Sequence, residues 1–344
     1  MSASLHSSRY GLQFDVIALA DSTGFVLASP GVDEPPALTK DQIASAIQCK
    51  AARKGLKSHP MGSEAATMEL VEGVTAHTKV IVVDASGAEG TGEALLLALQ
   101  RGSAVTTANK KPMSDKQSLW DSLHSPSHRH RLRYESTVGA GTPMVATLAR
   151  VVASGDPVRQ IQGTFSGTLG YVMSGLEMGK NYSTVINEAA RLGFTEPDPR
   201  DDLGGIDVAR KALILARMLG WKVEMSEVQV EPLYPASLSS VSIPAFLGAL
   251  SSQDALYAEK IQQARHEQYR MRYVANIESG KISVGLMAVK ADSPLGRLQG
   301  TENMMELHTT VFGMSPLVVQ GAGAGGPVTA VGILADMVEL ATTI

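Results

Sequence analysis

The segment from residue 193 to residue 211 combines acids and a lysine at a spacing that suits chemistry on an amine. It reads GFTEPDPRDDLGGIDVARK, and its loop carries four acids: Glu196, Asp198, Asp201 and Asp202. Asp207 and Lys211 follow, four residues apart on one face of a helix. The loop predicts a site for a cationic amine. The apolar run ALILA after Lys211 favours a packed lysine that exchanges protons with a substrate. The alternative is a surface ion pair, which contributes only about 0.2–0.5 kcal/mol.

Two further segments suit a dinucleotide ligand because each follows an apolar, strand-like run. VDASGAEG leaves backbone amides open at the carboxyl edge of a sheet, and an ordinary turn is the alternative. TTANKKP places Lys110 and Lys111 at the end of the next strand, just before Pro112, which we expect to end that strand. An ammonium there can reach a phosphate or a reacting oxygen. A solvated pair of lysines is the alternative.

The segment YESTVGAGTPM joins Glu135 to a turn through Gly139 and Gly141. Glycines let successive carbonyls point at one position, which is how oxygen ligands often hold hard cations. Thr142 followed by Pro143 also fits the N-cap and first position of a helix. The two interpretations are compatible.

The elements around these segments predict two domains of different class. The first half alternates strands, beginning with FDVIALADS and TKVIVVDASG, with helices such as DQIASAIQCKAARKGL, which is typical of a doubly wound Rossmann-type sheet. The second half combines helices with strands grouped near the end, which indicates an α+β domain, and we expect it to bind substrate and to dimerise. We expect an incomplete Rossmann-type nucleotide-binding domain over 1–135, completed by 315–344, and the α+β domain over 136–314.

Composition excludes several classes of protein. The 344 residues carry a net charge of −4 and no basic block that would hold nucleic acid. The single cysteine, Cys49, excludes a fold held by internal disulfides. No apolar run reaches the ~20 residues of a membrane span. We expect a soluble protein, cytoplasmic or plastid, that binds neither nucleic acid nor membranes.

The motifs together resemble the homoserine dehydrogenase family, and most closely its monofunctional members from plants and fungi. The segments that carry the resemblance are TFSGTLGYVMSGL, GFTEPDPRDDLGGIDVARKALILAR, SPLGRLQGTEN and QGAGAGGPVTAVGILADM, with TTANKKP and YESTVGAGTPM. The resemblance implies an NAD(P)-dependent oxidoreductase that interconverts L-homoserine and L-aspartate 4-semialdehyde in threonine and methionine biosynthesis. It also implies a homodimer without a prosthetic group.

The resemblance assigns roles to particular residues. Lys211 matches the acid–base lysine, Asp207 its partner, and Lys110 a lysine near the nicotinamide that assists proton transfer. The implied substrate contacts are Thr164, Glu196 and Asp202. The implied cofactor contacts are Asp21, Ser86, Asn109, Lys110 and Gly325. A structural sodium ion is implied at Glu135, Val138, Ala140 and Thr142, mostly through backbone carbonyls.

One feature of the family is missing from the sequence. A strand with a G-x-G-x-x-G fingerprint normally precedes the acidic residue at the end of the second strand by about 20 residues. Asp21 resembles that acid, yet only Gly11 precedes it. We therefore expect a truncated N-terminus, and a non-catalytic homologue that binds amino acid or pairs with a full-length subunit is the alternative function. Asp21 favours NAD and the lysines suit NADP, so the cofactor preference stays open.

Overall fold

The computed structural model describes residues 2–29, 36–64, 66–76 and 78–343, with the side chains of residues 2–5 left aside. The chain divides into two compact units. The first unit comprises residues 1–112, 118–134 and 333–344, and the second comprises 113–117 and 135–332.

The regular elements follow one another along the chain. Up to residue 134 they are α1 (Ser2–Tyr10), β1 (Ala18–Asp21), β2 (Gly24–Leu27), α2 (Lys40–Ala51), β3 (Gly62–Ser63), α3 (Thr67–Thr75), β4 (Ile81–Asp84), α4 (Gly92–Gln100), β5 (Ala104–Thr107), α5 (Lys110–Met113), α6 (Gln117–Leu123) and β6 (Leu132–Arg133). Beyond it they are α7 (Met144–Ser154), β7 (Val158–Thr164), α8 (Gly167–Glu177), α9 (Tyr182–Leu192), α10 (Arg200–Leu203), α11 (Ile206–Met218), β8 (Gln229–Val230), α12 (Ile243–Ala249), α13 (Asp254–His266), β9 (Tyr269–Glu278), β10 (Lys281–Lys290), α14 (Pro294–Arg297), β11 (Glu302–Thr309), β12 (Leu317–Ala322) and α15 (Gly326–Thr343).

A parallel sheet of β4, β5 and β6 forms the centre of the first unit. All four residues of β5 are buried, as expected for a parallel strand that is covered on both faces. Helix α4 follows β4 and buries Ala94, Leu95, Ala98 and Leu99. The predicted strand–helix–strand alternation is therefore confirmed here, and with it the α/β class.

The strand predicted in FDVIALADS has different partners in the structure. Its last four residues form β1, which pairs antiparallel with β2, and β2 pairs with β3. This hairpin is a separate sheet from β4–β5–β6, so the prediction of a parallel strand is wrong. The tight turn is the reason, because the Asp21 carboxylate accepts a hydrogen bond from the Thr23 amide at 2.8 Å and reverses the chain.

A mixed sheet with the order β12-β11-β7-β9-β10-β8 forms the second unit. Its neighbours are antiparallel except for β8 and β10. Helices α8, α11 and α13 pack on β9, and α11 also packs on β10. The strands and helices predicted for this half are confirmed as an α+β unit.

The boundaries of the units differ from the predicted domains at residues 113–117, which group with the second unit, and near the C-terminus. Strand β12 pairs with β11 from Glu302–Ala322 to Leu307–Leu317, so residues 315–332 group with the second unit. The first unit regains the chain at Ile333, within α15. The nucleotide-binding and substrate-binding roles of the units stay predictions. Among the described residues, no helix is long and apolar enough to cross a bilayer.

Candidate active site

Lys211 is a buried ionisable group of the second unit with fixed partners. It is 7% exposed, and its Nζ atom lies 2.7 Å from Oδ2 of Asp207 and 2.5 Å from the carbonyl oxygen of Phe165. Asp207 keeps 47% of its side chain exposed, so the pair spans from the interior to the surface of the unit. An ammonium has three N–H donors. Two meet these acceptors, which orients the third.

The start of α11 places the pair. Gly205 is the N-cap residue, with φ of +73°, and a Cβ atom there would lie 2.0 Å from Oη of Tyr273. Only glycine meets both demands without strain. Asp207 and Lys211 then follow one turn apart on the helix, as the sequence predicted, and the neighbours of Lys211, such as Ala212 and Leu213, are fully buried.

Asp202 brings a second carboxylate towards the same helix. Its Oδ2 atom accepts a hydrogen bond from the backbone amide of Glu196 at 2.8 Å, and its Oδ1 atom lies 3.1 Å from Oγ1 of Thr168. Burial raises the pKa of Asp202, and the negative charges of Glu196 and Asp207 raise it further. Glu196 and Asp207 therefore each repel the Asp202 carboxylate, and a cation placed beside Asp202 relieves that repulsion.

Asp198, from the same acidic loop, has a structural role. Its carboxylate accepts hydrogen bonds from Nε and Nη2 of Arg200, and Arg200 also donates to the carbonyls of Leu238, Ser239 and Val241. The hydrogen bonds from Arg200 hold the pKa of Asp198 below its usual range. This pair ties the acidic loop to the segment before α12.

Thr164 stays a predicted substrate contact, and Thr168 is a second threonine close to the acids. The hydroxyl of Thr164 is buried and has no hydrogen-bonding partner among the described residues. The hydroxyl of Thr168, in the first turn of α8, lies 2.5 Å from the carbonyl oxygen of Phe194 and 3.1 Å from Oδ1 of Asp202. The structure thus brings Thr168 to the predicted acids. Its signal in the sequence is the position directly after Ser166-Gly167, where a helix begins with its N-terminal amides exposed.

In the first unit, Asp84 organises the segment that follows β4. Its carboxylate accepts hydrogen bonds from the Ser86 amide (3.0 Å) and hydroxyl (2.6 Å), from the Thr91 hydroxyl (2.8 Å) and from Nδ2 of Asn109 (3.1 Å). Nδ2 of Asn109 also donates to the carbonyl of Ala88 at 2.8 Å. The side chains of Ser86 and Asn109 are therefore engaged within the protein. The sequence did not identify Asp84 as a functional residue, because an aspartate at the end of a strand occurs in many structural roles.

The same segment leaves backbone open to a ligand. Cβ atoms added at Gly87 and Gly90 would meet no heavy atom within 4 Å. Lys110 begins α5 directly after Asn109 and is half-buried, and Lys111 forms an ion pair with Glu89, with Nζ 3.3 Å from Oε1. Pro112 lies inside α5, so the expectation that it ends the strand is wrong. Strand β5 ends three residues before Lys110.

Asp21 ends β1 and so belongs to the sheet β1–β2–β3, which is separate from the sheet β4–β5–β6. Its Oδ2 atom lies 2.6 Å from Nζ of Lys50 and accepts the Leu56 amide at 3.0 Å. Burial alone would raise the pKa of Asp21, but the hydrogen bonds from Lys50, Thr23 and Leu56 outweigh it and hold the pKa well below its usual range. The carboxylate holds the hairpin against α2 and the segment after it.

Glu135 caps α7 across the predicted cation turn. Its two carboxylate oxygens accept the amides of Val145 at 2.9 Å and Ala146 at 2.7 Å. Helix α7 begins at Met144 with Pro143 as N-cap, so the alternative that Thr142 is the N-cap is wrong. Ala140 has φ of +52°, a left-handed conformation that is uncommon for residues other than glycine and is often found at ligand sites.

Val138 and Thr142 are buried in the same turn as Ala140. The Thr142 hydroxyl donates to the carbonyl of Ala322 at 3.0 Å. Gly325 has φ of +109° and no heavy atom near its Cβ position, so it is open to a ligand. Among the described residues, no group of three or more His, Cys, Asp or Glu side chains is placed to hold a metal ion. A cation here would depend on carbonyls.

Comparisons with known proteins agree on one family. The family model described as homoserine dehydrogenase matches residues 143–338. A homoserine dehydrogenase from Paracoccidioides brasiliensis is 36% identical in an alignment 340 residues long, which covers 94% of this chain and 90% of that protein. A putative homoserine dehydrogenase from Archaeoglobus fulgidus has a TM-score of 0.74 at 26% identity, over 98% of this chain and 94% of the other. A hyperthermophilic archaeal homoserine dehydrogenase in complex with NADPH shares the fold, with a TM-score of 0.72 at 23% identity over 99% and 93%.

Proposed function

The chain belongs to the homoserine dehydrogenase family, and on that premise we propose that it interconverts L-homoserine and L-aspartate 4-semialdehyde with a nicotinamide cofactor. The relative that is 36% identical spans 94% of the chain. The observation that carries the proposal is the buried Lys211, held by Asp207 and Phe165, next to carboxylates that repel one another. This set suits a substrate that has both an amine and a reacting oxygen.

The first unit supplies groups that fit the cofactor. The backbone around Gly87 and Gly90 is open, and Asp84 holds the segment that presents it. We assign Ser86 to the cofactor through its backbone, and Lys110 through its ammonium group. Asn109 acts through Asp84 and Ala88, which its amide contacts. Asp21 is left out of this set because Lys50 and backbone amides occupy its carboxylate.

Cofactor identity is proposed as NADP or NAD. A related structure contains NADPH, and Lys110 and Lys111 suit an additional phosphate. When bound, the nicotinamide ring supplies hydride acceptance and donation. Gly325, in the second unit, is proposed as a further contact because its backbone is open to a ligand.

Substrate binding depends on the acids of the second unit. The homoserine amine is a cation, and Glu196, Asp202 and Asp207 raise the local negative charge in which it would bind. Asp202 is fixed by the Glu196 amide and by Thr168, so it presents its charge without rotating. Thr168 is therefore proposed as a positioning residue, and Thr164, whose buried hydroxyl has no partner among the described residues, stays a proposed substrate contact.

Lys211 performs the proton transfer in this proposal. In the reductive direction its ammonium donates a proton to the aldehyde oxygen, and in the oxidative direction the neutral amine accepts the hydroxyl proton. Asp207 and the Phe165 carbonyl fix the Nζ atom, so that the remaining N–H points at one position. Lys110 is proposed to assist from the cofactor side.

The test is substitution of Lys211 by alanine, with Lys222→Ala as the control. Lys222 is an exposed lysine of the same unit. Lys211→Ala should lower turnover by at least ~10²-fold, the low end for acid–base groups, and leave NADPH binding within about twofold. The control should change neither. A near-normal rate of Lys211→Ala would remove this lysine from the mechanism.

We also propose a structural monovalent cation at Glu135, Val138, Ala140 and Thr142. The left-handed Ala140 and the buried turn support carbonyls that converge. Three carbonyls and one carboxylate suit Na⁺ better than Mg²⁺, which demands near-octahedral geometry and keeps waters. The ion would stabilise the turn, and no chemical step requires it.

A homodimer is proposed for the second unit. On one face of the sheet, the side chains of Gln160, Gln162 and Asn276 lie together, with Nε2 of Gln160 2.8 Å from Oδ1 of Asn276. All three are half-buried. Ser283→Arg, on the same face, should shift a sedimentation profile from dimer to monomer. An unchanged profile would exclude this face.

A further inference from the structure

The amide of Asn303 is a buried polar group outside the proposed catalytic set. Asn303 lies in β11, opposite Gly321 of β12, and is 0% exposed. Neither its amide nitrogen nor its amide oxygen has a hydrogen-bonding partner among the described residues. Buried polar side chains nearly always have one. The Asn303 amide can therefore gain hydrogen-bonding partners in another state of the protein.

The amide lies against the glycine loop, which we define as residues 321–326 (GAGAGG). A Cβ atom at Gly323 would lie 1.9 Å from both Cγ and Nδ2 of Asn303. The loop backbone therefore packs directly on the amide, and only glycine fits there. Thr142 contacts the same loop, since its hydroxyl donates to the Ala322 carbonyl.

The loop is fixed at one end and open at the other. Gly321, Ala322 and Gly323 contact Thr142 and Asn303, whereas Gly325 has no heavy atom near its Cβ position. Helix α15 then begins at Gly326 and runs for 18 residues, so its first amides face the open end of the loop. A ligand at Gly325 would therefore contact the glycine loop at one end, while the other end of the loop packs on the Asn303 amide.

We propose that Asn303 is a positioning residue of the glycine loop, whose amide hydrogen-bonds to loop peptide groups when the nicotinamide cofactor binds. A carboxamide offers one kind of donor and one acceptor, as a peptide group does, so it can pair with both sides of a loop peptide. Glycines allow such a peptide to rotate at little steric cost. Cofactor binding at the open end and pairing of Asn303 at the fixed end are thereby coupled.

This inference rests on the proposed function, because it takes the cofactor as the ligand of the loop. It predicts opposite effects of Asn303→Leu on two quantities. The leucine is close in size and removes an unsatisfied amide, so the thermal transition of the cofactor-free protein should stay equal or rise. The Kd for NADPH should rise by about tenfold, since a neutral hydrogen bond contributes roughly 2- to 10-fold and the amide makes up to two.

The experiment measures NADPH binding by titration and thermal unfolding without cofactor, for the wild type, Asn303→Leu and the control Asn187→Leu. Asn187 is exposed on α9, and its amide donates to the Ser183 carbonyl at 2.8 Å. The control should leave the Kd unchanged. Amide hydrogen exchange adds a second readout, because NADPH should slow exchange of residues 321–326 in the wild type and not in Asn303→Leu.

The outcomes separate the two proposals. A wild type that binds neither NADPH nor NADH would contradict the proposed function. A wild type that binds, with Asn303→Leu binding equally well, would overturn the role of Asn303. A lower thermal transition with an unchanged Kd would also overturn it, since Asn303 would then be a structural residue. If the leucine variant does not fold, Asn303→Ser is judged by the same Kd and exchange criteria.

Discussion

Replacing Asp84 by asparagine is expected to loosen the segment after β4 and to weaken NADPH binding. The carboxylate is 8% exposed and accepts four hydrogen bonds, two on each oxygen. Oδ1 receives Ser86, and Oδ2 receives Thr91 and Asn109. An asparagine retains one carbonyl oxygen for Ser86. Its NH₂ group would then face the NH₂ group of Asn109, so a donor would meet a donor.

The magnitude follows from the bonds that change. Hydrogen bonds to a charged group contribute about 1.5–3 kcal/mol each, against about 0.5–1.5 kcal/mol for neutral pairs. Thr91 can rotate its hydroxyl and accept from the new amide, so one bond is lost and the others lose their charge. The lost bond alone should lower the free energy of unfolding of the first unit by roughly 1.5–3 kcal/mol, and the loss of charge from the other three bonds adds to that. The thermal transition should therefore fall by at least roughly 3 °C.

The assay is thermal unfolding followed by circular dichroism, together with NADPH titration. Asp15→Asn is the matched control, because Asp15 is exposed in the same unit and accepts one hydrogen bond, from Gln13. The control should move the transition by no more than about 2 °C, since surface substitutions usually fall within ±0.5 kcal/mol. If Asp84→Asn matched its control in both measurements, Asp84 would not organise this segment.

Three other substitutions test the second unit. In chemical denaturation, Gly205→Ala should lower the free energy of unfolding by at least about 1 kcal/mol more than Gly220→Ala. Both glycines have positive φ, but only a side chain at position 205 would clash, with Tyr273. Equal losses would contradict the packing argument. Na⁺ should raise the thermal transition more than tetramethylammonium at equal ionic strength, and Glu135→Gln should remove that difference. An equal effect of both salts on the wild type would mean that the salts only screen charges. The KM for homoserine should rise as pH falls through the raised pKa of Asp202, because protonation removes the charge that attracts the amine. Asp202→Asn should flatten that profile, and an unchanged pH dependence would remove Asp202 from substrate binding.

Local patterns in the sequence were sufficient for the elements that hold the candidate site. Helix α11 was predicted from its apolar spacing, and Asp207 and Lys211 lie on one face because four residues make about one turn. Strands β4 and β5 were predicted because buried parallel strands are continuous apolar runs. Motif resemblance then indicated the family, which the comparisons confirm. These inferences depend only on residues close together in the chain.

Partners that are distant in the chain were decided by the tertiary structure. The β1 hairpin, the cap that Glu135 places on α7, and the contact of Thr168 with Asp202 each join residues that local spacing does not relate. Asn303 is the clearest case, because β11 places it within the sheet and the loop after β12 then covers it. A side chain's hydrogen-bonding partner depends on the position of atoms in three dimensions, and one sequence pattern is compatible with many such positions.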